Sequence, residues 1–339
     1  METVWSAFGR IAPGALASVA GRGSVGTGVV TVRLPKLIAT SVVRGSQKGQ
    51  SHGGVYLVDF GAQQVDQVID WNSGEIDFAG RGWDRGLRGI EFTADAVWIA
   101  ASDELFCYSP DFQLIASYRN EYLKHCHEIS RKDHLLFLTS TGYDSLLVFN
   151  LNTRAFIWGL YISKNGQDWI GQRFDPNARG GPPFANNYHI NMVSVSDAGI
   201  FFSGLNTGAL LRVNAEMQVA MVCSLPTGCH NAQPFKGGVL FNDTASNVVR
   251  AVDRLGQSFA QKIILYPEAE LDYAGVDSSK VARQGFARGL CVIDDQCVAV
   301  GSSPSTITVF DVQADRRLTG VNLTMDIRNA IHGLEVWPF

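Results

Sequence analysis

His332-Gly-Leu-Glu-Val336, close to the end of the chain, is the sixth copy of a short pattern in which an apolar strand opens on a His or an Arg. The earlier copies are Arg88-Gly-Ile-Glu-Phe92, His127-Glu-Ile129, His189-Ile-Asn-Met-Val193, His230-Asn-Ala-Gln-Pro-Phe235 and Arg288-Gly-Leu-Cys-Val292. Their starts lie 39, 62, 41, 58 and 44 residues apart. After each of the first five come a second apolar run, a turn, a third run and usually a fourth. A period of about 40 residues with four short strands per unit is what a β-propeller blade requires.

Working outward, the apolar runs at 37–43, 55–60 and 67–71 make three strands with no inner strand ahead of them. The run at 331–339 supplies the missing one. The sequence therefore predicts an all-β, six-bladed β-propeller over residues 36–339, closed by the C-terminal strand joining the N-terminal strands. Such closure removes a free sheet edge. Residues 1–35 read as a Gly/Ala-rich arm. Their Gly21–Gly28 stretch lacks the Gly-Lys-Ser/Thr ending of a phosphate loop. Three connections are longer than turns, at 72–87, 163–188 and 266–287, each between the outer strand of one blade and the inner strand of the next. Long loops in a compact domain are usually functional, and the second and third are expected to form a lid.

Composition narrows the function classes. Hydrophobic residues make up 46% and charged residues 18% of 339, enough for a large core. The net charge of −4, without like-charge runs, argues against a nucleic-acid or anionic-membrane surface. Most of the six Cys lie inside apolar strand patterns and none forms a CxxC, so they read as buried thiols rather than a zinc ribbon. No leader pattern or membrane-length apolar run is present, and a cytoplasmic location is expected.

Inner strands line the central channel, so equivalent starts form a ring near one mouth: His332, Arg88, His127, His189, His230 and Arg288 in blade order. Chance would place roughly 0.12 His on six positions of this chain; four are seen. Imidazole is a common transition-metal ligand. The candidate metal ligands are His127, His189, His230 and His332, with His125 two residues away as a substitute. An all-imidazole set suits one transition metal ion, Fe(II) before Cu or Zn. Glu91, Glu128 and Glu335 follow ring positions and are candidates to receive imidazole N–H groups. Tyr143, Asn206, Asn242 and Asp243 lie in second-to-third-strand loops that open on the same face. His127, His230, Arg88 and Arg288 are the candidate catalytic residues. Duplication of a blade-bracing His explains the repetition equally simply.

This pattern resembles the six-bladed β-propeller superfamily, which includes sugar-lactone lactonases and NHL-type repeats. The ring is similar in design to that of carotenoid oxygenases, longer and seven-bladed proteins that hold iron on the axis with four His. That resemblance implies a metal-dependent oxygenase or oxidase acting on a small polar molecule. Two alternatives stay open. One is a metal-free lyase, hydrolase or transferase in which a His is the base and the two arginines hold an anionic substrate. The other is a non-catalytic propeller scaffold. Fold alone does not choose.

Overall fold

A computed structural model describes residues 33–47, 49–72, 86–276 and 282–339. The expected arm at 1–35 therefore lies almost wholly outside the described residues, as does most of the connection at 72–87. The first blade contains β1 (Leu37–Val43), β2 (Gly54–Asp59) and β3 (Gln64–Asp70). The second is β4 (Ile90–Phe92), β5 (Val97–Ala101), β6 (Glu104–Tyr108) and β7 (Leu114–Arg119). The third has β8 (Ile129–Lys132), β9 (Leu135–Ser140), β10 (Ser145–Asn150), β11 (Ala155–Asn165) and β12 (Asp168–Phe174). The fourth is β13 (Ile190–Ser196), β14 (Gly199–Gly204), β15 (Ala209–Val213) and β16 (Val219–Ser224). The fifth is β17 (His230–Phe235), β18 (Gly238–Asp243), β19 (Val248–Val252) and β20 (Ser258–Lys262). The sixth is β21 (Leu290–Val292), β22 (Cys297–Ser302), β23 (Thr306–Asp311) and β24 (Arg316–Asn322).

The last strand, β25 (Asn329–Val336), completes the first blade from the inside, in the order β25-β1-β2-β3. It pairs antiparallel with β1, Leu37 opposite Val336 and Val43 opposite Asn329. The tail beyond it is fastened to the second blade. Trp337 stacks on Phe112 at 5.3 Å and meets Phe92 edge-on at 5.9 Å. Closure is thus held by a hydrogen-bonded ladder and an aromatic cluster together.

The turns leading to the outer strands share one device. Asp59, Ser109, Asn150, Asn214, Asp253 and Asp311 end or follow the third strands, and each side-chain oxygen accepts a turn N–H. Short polar side chains that cap their own turn are the usual hairpin punctuation. In five blades the third-to-fourth pairing carries a bulge, as at Val148/Phe149, which adds to the strand twist.

The core is six seams rather than one centre. Strands β5, β6, β9, β10, β14, β22 and β23 are buried along their whole length, because a neighbouring blade covers each face. One apolar cluster fills each seam. Phe137, Trp158 and Phe202 anchor the one between blades three and four. Phe201, Leu210, Val239 and Phe241 belong to a smaller one between blades four and five, where a groove of about 500 Å³ opens. Each fully buried large apolar side chain contributes about 1.5–3 kcal/mol.

The connection at 163–188 departs from expectation. Its first part is not a loop: β11 runs on to Asn165, turns at Gly166 and pairs with β12, giving blade three a fifth, outer strand. The later part reaches the channel face, where the Ala185 N–H donates to the Gly142 carbonyl and the Asn187 and Tyr188 N–H groups donate to Asp144. Within 266–287, Asp272 pairs with the chain before β25, and the Arg328 guanidinium stands 3.6 Å from the Tyr273 ring centroid. That segment lies against the seam of blades six and one.

Candidate functional site

The inner strands approach one another in ring order, and their starts enclose a cavity of about 180 Å³ at the channel mouth. Five of the six ring residues line it: Arg88, His127, His189, Arg288 and His332. His125 lines it too, together with Arg44 and Asn186. His230, the sixth, is buried just beside it with its ring 6.2 Å from that of Phe286.

Hydroxyl staples hold the ring to this geometry. Thr40 in blade one donates to the Arg88 carbonyl (2.6 Å), Thr141 in blade three to Ile190 (2.5 Å), and Thr244 in blade five to Ala287 (2.8 Å). Ser303 in blade six donates to the Ile327 carbonyl at 2.6 Å. Each joins one blade to the start of the next.

Two of these threonines also set imidazole tautomers. Because the Thr141 proton is committed to Ile190, its oxygen accepts from His127 Nδ1 at 2.9 Å, and the His125 carbonyl accepts from the same nitrogen at 2.6 Å. Nδ1 therefore carries the proton and the Nε2 lone pair is left for the cavity. The Arg88 guanidinium, 3.4 Å from Nδ1, finds its own acceptor in the Cys126 carbonyl at 3.2 Å. His230 repeats the arrangement: Nδ1 donates to Thr244 at 3.0 Å, and Nε2 is buried without a hydrogen-bond partner among the described residues. Arg288 donates to His332 Nε2 at 3.4 Å, which makes that nitrogen an acceptor.

His127 and His230 stay neutral far below their ordinary range. Burial is the main cause for both. Arg88 and the neighbouring imidazoles add to it for His127, and Arg288 and His189 for His230. Backbone strain gathers here as well: His125, His189 and Asn231 have φ of 54°, 52° and 56°. His189 is held in that conformation by Asp144, whose carboxylate accepts the backbone N–H groups of Asn187, Tyr188 and His189 at 2.6–3.1 Å.

The three glutamates occupy a layer of their own. Glu91 accepts from the backbone of Phe92 and Arg131, and Glu128 from the backbone of Ile129 and from Asn231 Nδ2 at 3.3 Å. The N–H groups of His127 and His230 go to a carbonyl and to threonine hydroxyls instead. Burial and mutual repulsion keep these carboxyls protonated beyond their usual range: Glu128 is pushed up to about 8, and Glu335 well upward.

The loop residues distribute differently from expectation. Tyr143 packs against Tyr122 and Phe184 on the rim. Asn206 is exposed and bonds the Asn187 carbonyl. Asn242 is buried against Asn231 and Gly289, and Asp243 pairs outward with Arg250 at 3.0 Å. None of the four lines the cavity. The residues missed were Arg44, Asn186, Phe286 and the two threonines. A visible signal existed for the last pair, since each threonine follows its histidine by 14 residues.

As placed, no group of three His, Cys, Asp or Glu among the described residues converges on a point that would hold a metal ion. All six Cys are free thiols, and burial raises Cys126 and Cys229 to about 12, far from a nucleophile's range. No helix among the described residues is long and apolar enough to cross a membrane.

Fold and mouth together define a six-bladed β-propeller with a cationic, histidine-lined channel entrance. Solved structures agree on the fold. A chain of a nidogen/laminin complex superposes with a TM-score of 0.55 at 7% identity, over 88% of this chain and 97% of that one. A protein of unknown function from Bacteroides caccae superposes with the same score at 6% identity, over 89% and 98%. At such identities only architecture is shared. No protein-family model and no curated protein matches the chain.

Proposed function

We propose that the mouth is the active site of an enzyme of the lyase, hydrolase or transferase kind, acting on a small anionic substrate by acid–base chemistry without a metal. One observation carries this reading. A neutral imidazole with its proton fixed on Nδ1, His127, lines the same small cavity as Arg88 and Arg288. His127 Nε2 is the base, and the guanidiniums hold the anion and stabilise charge that develops on it. His230 supplies a second imidazole of the same tautomer behind Phe286. Replacing His127 by Gln should lower kcat/KM on a turned-over small carboxylate or phosphate ester about 10²–10⁴-fold while Tm stays within error. Unchanged kcat/KM in a folded variant rejects the assignment.

A second reading is a metal-dependent oxygenase or oxidase on the same histidines. It is favoured by ring-centroid separations of 5.0 Å for His127–His189 and 5.2 Å for His127–His332. Two imidazoles sharing one metal at about 2.0–2.1 Å per nitrogen stand roughly 4.5–5.5 Å apart. Against it, guanidiniums 3.4 Å from His127 and His332 oppose a further positive charge. Elemental analysis of protein purified without chelator decides. A stoichiometric transition metal supports this reading, and less than about a tenth of an equivalent with activity retained removes it.

A further inference from the structure

We infer that the ligand of the mouth is a short 2-hydroxy or 2-oxo monocarboxylate, its carboxylate on the arginine side and its second oxygen toward the histidines. This deepens the reading above and rests on it. The polarity of the cavity follows from blade order. Arg288, Arg44 and Arg88 come from blades six, one and two, which are neighbours, so three guanidiniums stand along one arc. His127 and His189 come from blades three and four and form the opposite arc with their rings 5.0 Å apart, while His332 of blade one stands among the arginines, 3.4 Å from Arg288. A ligand that fits has its negative charge on the arginine arc and, close beside it, a neutral oxygen within reach of an imidazole.

The arginine arc is built rather than incidental. Phe286 lies among three guanidiniums, with Arg288 at 4.2 Å and Arg44 and Arg283 at 5.0 Å from its ring centroid. The ring's negative face offsets part of their repulsion and fixes where each planar fork points. Arg283 is tied down through Asn247 and the Thr244 carbonyl. Arg88 and Arg288 are only 3% and 8% exposed, so an anion between them is shielded from water, where a charged hydrogen bond is strong.

Volume sets the length. The cavity of about 180 Å³ is well under the usual range for drug-sized ligands. That size suits an acid of about three to five carbons with one further oxygen better than a fatty acyl chain, a sugar phosphate or a nucleotide.

Calorimetric titration tests the assignment with four probes: 2-hydroxypropanoate, 2-oxobutanoate, octanoate and inorganic phosphate. The two short oxygenated acids should bind at least tenfold more tightly than octanoate and phosphate. Arg288→Gln should weaken them at least tenfold, and Arg44→Gln, at the less buried rim, several-fold, so that a folding defect at Arg288 does not decide the matter. Tighter binding of phosphate, equal binding of octanoate, absence of binding, or indifference to both substitutions in folded protein each overturns the inference. His127→Gln separates it from the enzymatic reading. Binding retained with turnover unaffected in that variant sinks the base assignment and leaves the ligand class standing. Turnover lost with no short acid bound by the wild type does the reverse.

Discussion

At the mouth, Arg44, Arg88 and Arg288 stand beside imidazoles that burial keeps neutral. One to three residues further along the same inner strands, Glu91, Glu128 and Glu335 form a layer of carboxyls that burial keeps protonated. The two layers share strands and enclosure, yet one is organised for an anion and the other by suppressed ionisation. The difference lies in what can satisfy the charge. A guanidinium carries five donors and spends them on carbonyls, imidazole nitrogens and the Phe286 face without losing its proton. A carboxyl among other carboxyls gains only a few N–H groups, which do not offset burial and repulsion, and it holds its proton instead. A propeller channel can therefore carry opposite chemistries a few ångströms apart, because six short strands contribute side chains to each layer independently.

The largest effect expected is the loss of both layers at once. β25 brings His332 to the mouth and Glu335 to the layer below, and it is the inner strand of blade one. Removing residues 331–339 deletes most of the ladder to β1 and the Trp337–Phe112 stack, and exposes the seam holding Leu37, Ala39 and Ile307. The truncated chain should show no cooperative thermal transition and should elute as aggregate in size-exclusion chromatography. A monomeric, cooperatively melting truncation breaks the closure argument.

Next comes the pH dependence of the carboxyl layer. Glu128 holds its proton to about 8 in the folded chain, against an ordinary glutamate value of 4.5. Between those two values the unfolded chain has released its proton and the folded chain has not, so stability falls as pH rises. Glu91 and Glu335 shift in the same direction and add to the slope. Denaturant unfolding should show a loss on the order of a few kcal/mol between pH 5 and 9. Glu128→Gln should flatten that profile and leave ligand binding at the mouth within a few-fold. A profile equally steep in the variant would mean that the layer is not the origin of the slope.

Much of the fold was legible because a propeller repeats its constraints. The six inner-strand starts, the lone three-strand group at the N-terminus and the matching run at the C-terminus are local patterns, and each is reproduced in space. The outer strand β12 was equally legible and was passed over. Asn165-Gly166 between two alternating runs is a strong hairpin signal, but the density of Gly, Pro and Asn after Phe174 made the whole connection look like loop. The ring was legible to within His230. What the mouth takes from outside the ring was not. Arg44 belongs to a loop of blade one that reads only as polar, and Phe286 sits two residues before Arg288 with nothing in the sequence to aim it. The glutamates show the limit clearly. Their proximity to histidines in sequence suggested an N–H acceptor, whereas the strand alternation and the bulges beside His230 and Ile190 send neighbouring residues to different layers.

The finest test compares the two threonine-held imidazoles. Thr141 and Thr244 play the same part in blades three and five, each donating to the next blade's carbonyl and accepting an Nδ1–H. Replacing either by Val removes one buried hydrogen bond to a carbonyl, at about 1 kcal/mol, and leaves that carbonyl to find another donor. The stability losses should therefore be similar. The imidazoles should both keep their tautomers. His127 keeps the His125 carbonyl at 2.6 Å as a second acceptor, so Thr141→Val leaves its tautomer in place. His230 has the matching second acceptor in the Gly228 carbonyl, also two residues before its histidine, so Thr244→Val leaves that tautomer in place too. Nitrogen-15 NMR of labelled histidine reads the outcome directly. The Nδ1–H pattern should persist for His127 in Thr141→Val and for His230 in Thr244→Val. If either ring loses that pattern, the carbonyl two residues before it is not what fixes it, and for His127 the strained φ at His125 loses its explanation as the means of presenting that carbonyl.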